Sequence, residues 1–444
     1  MRGCASTTSC GATHDYGEVH RARARRRTVR NATSSASLSS SVSIDQAKQM
    51  AEETTREYAK SFFLASKLMG RGREEIYALY AWCRELDQLV DGEAASGLTT
   101  DERARSLDGV AERLRVIFDW DSQAVPTDAT YADLALYDAT RTVQGFEREP
   151  FEDMIRGMRR DLEPNAGAFR TFSEVESYAY QVAGTVALMI LPILTIGTHN
   201  ANDFERRERG VALGIALQMT NIVRDVGEDA RDRERVYIAE EDLKLFGGMT
   251  RDDVLSMQTP TFDYKCAIEL QIQRALMYYA QAREGVVLLP LSSRLVAACI
   301  AGLYKRILLT VRENRYDNLN VRAYASKLQK LALLPVLVWG SIVGTNDEDG
   351  DMRLDFSDDS ESGQAYRVAM CRIFVAIASG DDGDEEIARC ADILREIKRG
   401  VPGKQPMLSR SRRFVEWYKS STDFGTYEDE RIKIDGGTIF HARR

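Results

Sequence analysis

From about residue 45 to 342, apolar residues recur every three or four positions with hardly a break. No stretch in that span alternates with the two-residue period of a strand between hairpin turns. This pattern alone removes most fold classes. Helices that bury one face must pack on other helices, so the span is expected to form one all-α domain around a central cavity or core. Proline fits the reading, with only nine in 444 residues. SIDQAKQMAEETTREYAKSFFLASKLM opens on Ser43 as an N-cap, and REEIYALYAWCRELDQLVDG ends at Gly92. SEVESYAYQVAGTVALMILPIL, RGVALGIALQMTNIVRDVGED, YKCAIELQIQRALMYYAQAREGV and SRLVAACIAGLYKRILLTVRENRY follow as further helices.

The flanks differ from this body. Residues 1–44 hold seven Arg, no Lys, two acids and fourteen Ser or Thr, for a net charge of +5. The other 400 residues carry −13 of a chain whose net charge is −8. Arg-rich, Ser-rich and acid-poor composition fits an organelle transit peptide, with an ordinary basic tail as the alternative, and it lacks the apolar core of a secretory signal. Residues 45–344 form the expected helical domain. Residues 345–444 begin with eight acids in TNDEDGDMRLDFSDDSESG and read as an acidic linker with a C-terminal extension. QAYRVAMCRIFVAIAS and EEIARCADILREIKRG are its two helix candidates.

Composition also excludes chemistry. An acidic body argues against nucleic acid, which needs a basic face. Seven Cys without CxxC pairs read as reduced thiols. The four His, at 14, 20, 199 and 441, form no metal-ligand or nucleophile–base pattern. The apolar runs 186–197 and 331–344 fall short of the ~18 uninterrupted residues of a membrane helix, and each holds a Pro. Both read as core helices, and an apolar substrate leaves room for peripheral contact with a membrane.

Two helices then carry polar stripes that a core helix should not have. Tyr80, Arg84, Asp87 and Asp91 fall at i, i+4, i+7 and i+11, so they share one face. Gly214, Gln218, Asn221, Asp225 and Asp229 repeat the device among Leu213, Leu217, Ile222 and Val223. Carboxylates one turn apart repel, and burying them unpaired costs more. Hard divalent cations resolve the conflict, because Mg²⁺ (or Mn²⁺) is held by one or two carboxylates plus substrate phosphates. Asn221 and Gln218 add neutral oxygens. Arg84 and Arg224 adjoin the stripes, Arg231, Arg233 and Arg235 follow, and Arg suits bidentate phosphate recognition. One D-x-x-x-D is commonly a solvated helix face; two, each with an adjoining Arg in an apolar helix, point to a polyphosphate ester.

YALYAWCRELDQLVDG, YAYQVAGTVALMILPI, LGIALQMTNIVRDVGEDARDRERVYI and NRYDNLNVRAYASKLQKL resemble the squalene/phytoene synthase family, in the family's order and across roughly 50–340. The resemblance implies a single isoprenoid-synthase-type helical domain, with two aspartate-rich helices facing an apolar cavity. It places metal ligation on Asp87, Asp91, Asn221, Asp225 and Asp229. It places substrate binding on Ser61, Phe62, Arg84, Gln218, Asn221, Arg224 and Arg322. Catalysis falls to Tyr80, Tyr178 and Tyr304 with the four aspartates. Two positions depart from the family's pattern: Gln88 follows the first Asp, and Tyr237-Ile238-Ala239 stands where Tyr-Leu-Pro is usual.

The implied reaction is Mg²⁺-dependent head-to-head condensation of two geranylgeranyl diphosphates, through a cyclopropylcarbinyl diphosphate, to the first C40 hydrocarbon of carotenoid biosynthesis. The implied partners are prenyl diphosphates and other enzymes of isoprenoid metabolism. Two alternatives are condensation of farnesyl diphosphate with reduction by NADPH, and a non-catalytic relative that serves assembly or regulation.

Overall fold

A computed structural model describes residues 42–326, except 68, 93–94, 123, 127 and 199–203, and beyond these 329, 354, 356, 360–379, 389–390, 429–434 and 437–442. Residues 1–41 of the transit-peptide reading, the helix at 331–344, most of the acidic linker and, but for 389–390, the helix candidate EEIARCADILREIKRG lie outside the described residues.

The chain enters on α1 (Ile44–Tyr58), where Ser43 and Gln46 form a reciprocal capping box as the sequence suggests. Ala59, with its φ of −128°, ends that helix, and α2 (Lys60–Ser66) starts afresh, so one expected helix is two. α3 (Arg73–Val90) carries the first stripe. It is followed by α4 (Thr100–Ile117), α5 (Tyr131–Thr142) and α6 (Glu149–Arg160). Thr99 with Glu102 and Thr130 with Asp133 supply further boxes. Leu86, Trp82, Leu107, Leu136 and Phe151 are almost fully buried where these helices meet.

α7 (Phe172–Ala179) runs through a π-turn at Tyr180–Gly184 into α8 (Thr185–Leu194). The segment Phe172–Leu194 is long and apolar enough to cross a membrane by length and composition. Here it packs against α9 (Phe204–Arg233) and α6. The π-turn widens the helix by one residue, which no sequence period shows. It also sets Ala183 against Gly214. A Cβ at 214 would lie 2.5 Å from the Ala183 carbonyl oxygen, so this stripe position serves close helix packing.

α10 (Glu240–Lys244), α11 (Arg251–Ser256), α12 (Phe262–Val286) and α13 (Leu291–Glu313) complete the bundle, with α12 lying along α9. α14 (Glu361–Ser379) also packs on α12, with Cys371, Ile373, Phe374 and Val375 in the same apolar core as Val223, Tyr264 and Leu276. The packed domain therefore extends past residue 344. A hairpin, β1 (Asp429–Ile434) and β2 (Gly437–Ala442), pairs Ile434 with Gly437 across an Asp-Gly dipeptide. Asp-Gly between alternating RIKI and TIF is a turn signal that could have been read from the sequence.

Candidate active site

A polar cavity of about 190 Å³ is lined by Asp87 and Asp91 from the first stripe and by Gln218 from the second, with Met158, Asp161, Tyr178, Val182 and Tyr237 among others, whereas Asp225 and Asp229 are not in its lining. Asp87 lies in the last turn of α3 and Asp91 is its C-cap. Carboxylates there meet the negative end of the helix dipole, an unfavourable position unless cations are near. Arg235 supplies one, with Nη1 donating to Asp91 Oδ2 at 3.0 Å. Arg233 spans the stripes: its Nη1 donates to Asp229 at 3.0 Å and its Nε lies 3.7 Å from Asp91. The Arg84 guanidinium pairs with Asp87 and lies over the Tyr58 ring, 4.9 Å from its centroid.

Asp225 is held more firmly. Arg224 engages both its oxygens, at 2.7 and 2.5 Å, and Arg322 donates to the same carboxylate at 2.8 Å. Arg322 also reaches Glu228, at 2.6 Å. The backbone beneath Asp225 is braced from outside the helix. Asn318 donates its side-chain amide to the Val223 carbonyl at 2.6 Å, and its own carbonyl accepts from Gly227 N–H at 3.2 Å. Val223 and Gly227 are the i, i+4 peptide groups that flank Asp225. Tyr264 fixes Asn318 by donating to its Oδ1 at 2.7 Å. Gly227 permits this approach, because a Cβ there would overlap the Leu319 carbonyl. Arg231 is spent on that same carbonyl, so it is not among the arginines facing the carboxylates.

The remaining wall is aromatic. Tyr178 and Tyr237 stack at 5.3 Å and both donate to Asp161. Burial pushes the Asp161 carboxyl up to about 6, against the Arg235 charge and the tyrosine hydrogen bonds. Burial likewise raises Asp229 to about 6, opposed by Arg233 and assisted by Asp225. Tyr80 rises to about 12, again through burial. Phe62 packs on Tyr80, with centroids 6.0 Å apart. Tyr304, half-buried on α13, lies within electrostatic range of Tyr80 and Arg224. The Ser61 side chain lies outside the described residues. Tyr237 is not loosened by the Ile-Ala that follows it. Arg235 beside it is half-buried and donates to Asp91, Tyr237 and the Asp161 carbonyl.

The donor set suits a hard cation. Among the described residues no three carboxylate, imidazole or thiolate groups converge on one point. Mg²⁺ needs no such cage when substrate phosphates complete its shell. Asn221 Oδ1 is buried and accepts no hydrogen bond, while its Nδ2 donates to Gln218 at 3.3 Å. A buried acceptor without a donor is costly, and one turn from Asp225 it is an oxygen available to a metal.

Sequence reading did not single out Asp161 or Asn318. Asp161 stands in RRDLE just past α6 and looks like a solvated acid. Asn318 sits in DNLN, which looks like a turn.

Comparison with known proteins adds independent findings. The family model "Squalene/phytoene synthase" matches residues 55–329. The chain is similar to "Phytoene synthase, chloroplastic" of Daucus carota, 40% identical over 295 residues, which are 66% of this chain and 70% of that one. It is similar to "Phytoene synthase 2, chloroplastic" of Solanum lycopersicum, 39% identical over 304 residues, 68% of this chain and 92% of that one. Among solved structures, a dehydrosqualene synthase in complex with ligand superposes with a TM-score of 0.58 at 27% identity, covering 68% of this chain and 98% of that one.

Proposed function

Because the chain belongs to the squalene/phytoene synthase family of prenyltransferases, we propose that it condenses two geranylgeranyl diphosphates head to head into phytoene, the first committed step of carotenoid biosynthesis. One observation carries the reading: the carboxylate pair of α3 lines one cavity with Gln218 of α9 and two tyrosines, and Arg233 bridges Asp91 of that pair to Asp229 of the α9 pair.

Asp87 with Asp91, and Asp225 with Asp229 and Asn221, would hold Mg²⁺ or Mn²⁺, which supplies neutralisation of the diphosphate charge. Arg84, Arg224 and Arg322 lie beside these carboxylates, placed to bind diphosphate oxygens in bidentate fashion. Gln218 and Asn221 orient what lies against α9. The C1–O bond of one substrate breaks, its electron pair leaving with the diphosphate. The double bond of the second attacks the allyl cation, and loss of a proton from C1 of the ionised unit closes the ring of a cyclopropylcarbinyl diphosphate. Loss of the second diphosphate and rearrangement give the 1-1′ link, and proton loss gives the central double bond. Tyr80, Tyr178 and Tyr304 offer ring faces to the cations. The apolar surroundings of Phe62, Met158 and Val182 keep water from them.

The test is incubation of the full chain with geranylgeranyl diphosphate and Mg²⁺, without NADPH. A C40 hydrocarbon with a central triene is expected. Squalene or dehydrosqualene from farnesyl diphosphate, with no C40 product, overturns the substrate assignment. Plastid localisation, the location in the relatives' names, is tested by fusing residues 1–44 to a fluorescent protein. The apolar product would bring the enzyme to a membrane surface, where other isoprenoid enzymes are its expected neighbours.

A further inference from the structure

Asp161 stands apart from the other carboxylates of the site. Asp87, Asp91, Asp225 and Asp229 each meet a guanidinium. Asp161 meets hydroxyls. Tyr178 donates to it at 2.9 and 3.1 Å and Tyr237 at 3.1 Å. The nearest guanidinium nitrogen, Nη1 of Arg235, is 4.0 Å away, while Nη2 of Arg235 takes the Asp161 backbone carbonyl at 2.7 Å. Asp161 is only 8% exposed yet lines the cavity beside Gln218 and Tyr178.

The consequence is directional. Each tyrosine has one hydroxyl proton, and both protons are committed to Asp161. Tyr178 Oη therefore keeps lone pairs to accept with; one side of it faces the Tyr237 hydroxyl, and Tyr178 is itself a cavity-lining residue. Tyr178 is buried apart from its face on the cavity, and burial raises its pKa well above the ordinary value, so a free tyrosinate is disfavoured. A tyrosine that must not ionise can still pass a proton if it loses one as it gains one.

We propose that Asp161 is the proton-accepting and positioning residue of the last step, acting through Tyr178. The inference rests on the condensation described under Proposed function. A C–H bond next to the final C40 cation breaks, and its electron pair becomes the central double bond. That proton goes to Tyr178 Oη as the hydroxyl proton moves to Asp161 Oδ2. Nothing is oxidised or reduced, and Asp161 returns its proton to solvent when the product leaves. Tyr237 and Arg235 hold the carboxylate in register. A carboxyl raised to about 6 by burial is matched to such duty near neutral pH.

The experiment uses the full chain, Mg²⁺ and geranylgeranyl diphosphate deuterated at C1, following cyclopropylcarbinyl diphosphate and C40 hydrocarbon separately. In Asp161→Asn the first diphosphate is released within about threefold of the wild-type rate. Hydrocarbon formation falls by about 10²-fold, the scale of lost general-base catalysis. A deuterium isotope effect appears on the last step, and C40 alcohols from water capture accumulate. Tyr178→Phe, which keeps the ring, gives the same split, and the double variant is no worse than either single. Asp161→Glu restores part of the loss.

Equal loss of both steps at a fixed product ratio, or no loss in either, overturns the relay and leaves Asp161 structural. Should Asp161→Asn lose its helical circular dichroism, Tyr178→Phe decides by the same criteria. A wild-type chain that forms no C40 product overturns the condensation itself, and the relay with it.

Discussion

The two carboxylate stripes share one spacing and are built in opposite ways. On α3 the pair closes the helix: the Asp87 side chain is 51% exposed and the Asp91 side chain 28%. On α9 the pair sits inside a 30-residue helix, with Asp225 15% and Asp229 16% exposed. Asp87 is met by an arginine from its own helix, whereas Asp225 is met by its neighbour Arg224 and by Arg322, 97 residues away. Beneath Asp225, Asn318 and Gly227 fix the backbone. The α9 stripe is thus a rigid half and the α3 stripe an adaptable one. Such a division suits the condensation proposed above, in which two charged substrates enter and apolar cations follow.

The sharpest way to break this contrast is paired alanine substitution. Asp225→Ala and Asp87→Ala should each lower Mg²⁺-dependent turnover by about 10³-fold, the scale of lost electrostatic stabilisation. Their stabilities should part. Asp225→Ala strands Arg224 and part of Arg322 and should cost about 1–3 kcal/mol in urea denaturation. Asp87→Ala should stay within about 0.5 kcal/mol of wild type, as exposed sites do. Equal losses of stability would erase the distinction between rigid and adaptable halves.

Glycine substitution on α9 probes the brace next. Gly227→Ala places a methyl on the Leu319 carbonyl, and an overpacked contact of this kind costs about 1–3 kcal/mol. It should also weaken substrate binding, read as a raised KM, because Arg322 follows on the displaced segment.

A smaller effect tests how α3 is anchored behind its stripe. Glu85 faces Arg113, Asp133 and Thr130. Burial, with help from Asp133, pushes its carboxyl up to about 7, while the unfolded chain titrates near ~4.3. Between these values the native state holds the extra proton, so stability falls as pH rises through the window. Glu85→Gln should therefore gain on wild type by about 1–2 kcal/mol between pH 5 and pH 8, compared by thermal melts at each pH. No gain would mean that Arg113 holds Glu85 ionised throughout.

The smallest expected change is Gly210→Ala. It lies on the same helix as Gly227, but an added Cβ meets only Ala187 at 3.8 Å. Helix propensity then gains about 0.5–1 kcal/mol, seen as a raised melting temperature with activity unchanged.

Much of this molecule was legible because it is local. Ser43, Thr99 and Thr130 cap helices where a small polar residue precedes an acid or amide by three. Both stripes were visible because i, i+4 and i+7 share a face in any α-helix. The π-turn at 180–184 escaped notice because one extra residue in a turn leaves the apolar pattern almost unchanged. The end of the domain escaped too: α14 lies beyond an acidic stretch, yet Val375 and Cys371 complete the core against α12.

The sequence by itself determined that the chain is helical, that two of its helices carry paired carboxylates, and that arginines are at hand. Helix geometry requires nothing more than the next few residues to establish these points. Only the tertiary structure decided which arginine serves which carboxylate, because Arg235 and Asp91 meet across 144 residues. It also decided that Asn318 braces α9 and that Asp161 gathers two tyrosine hydroxyls. Such contacts depend on how chain segments distant in sequence pack together, and no local period encodes that.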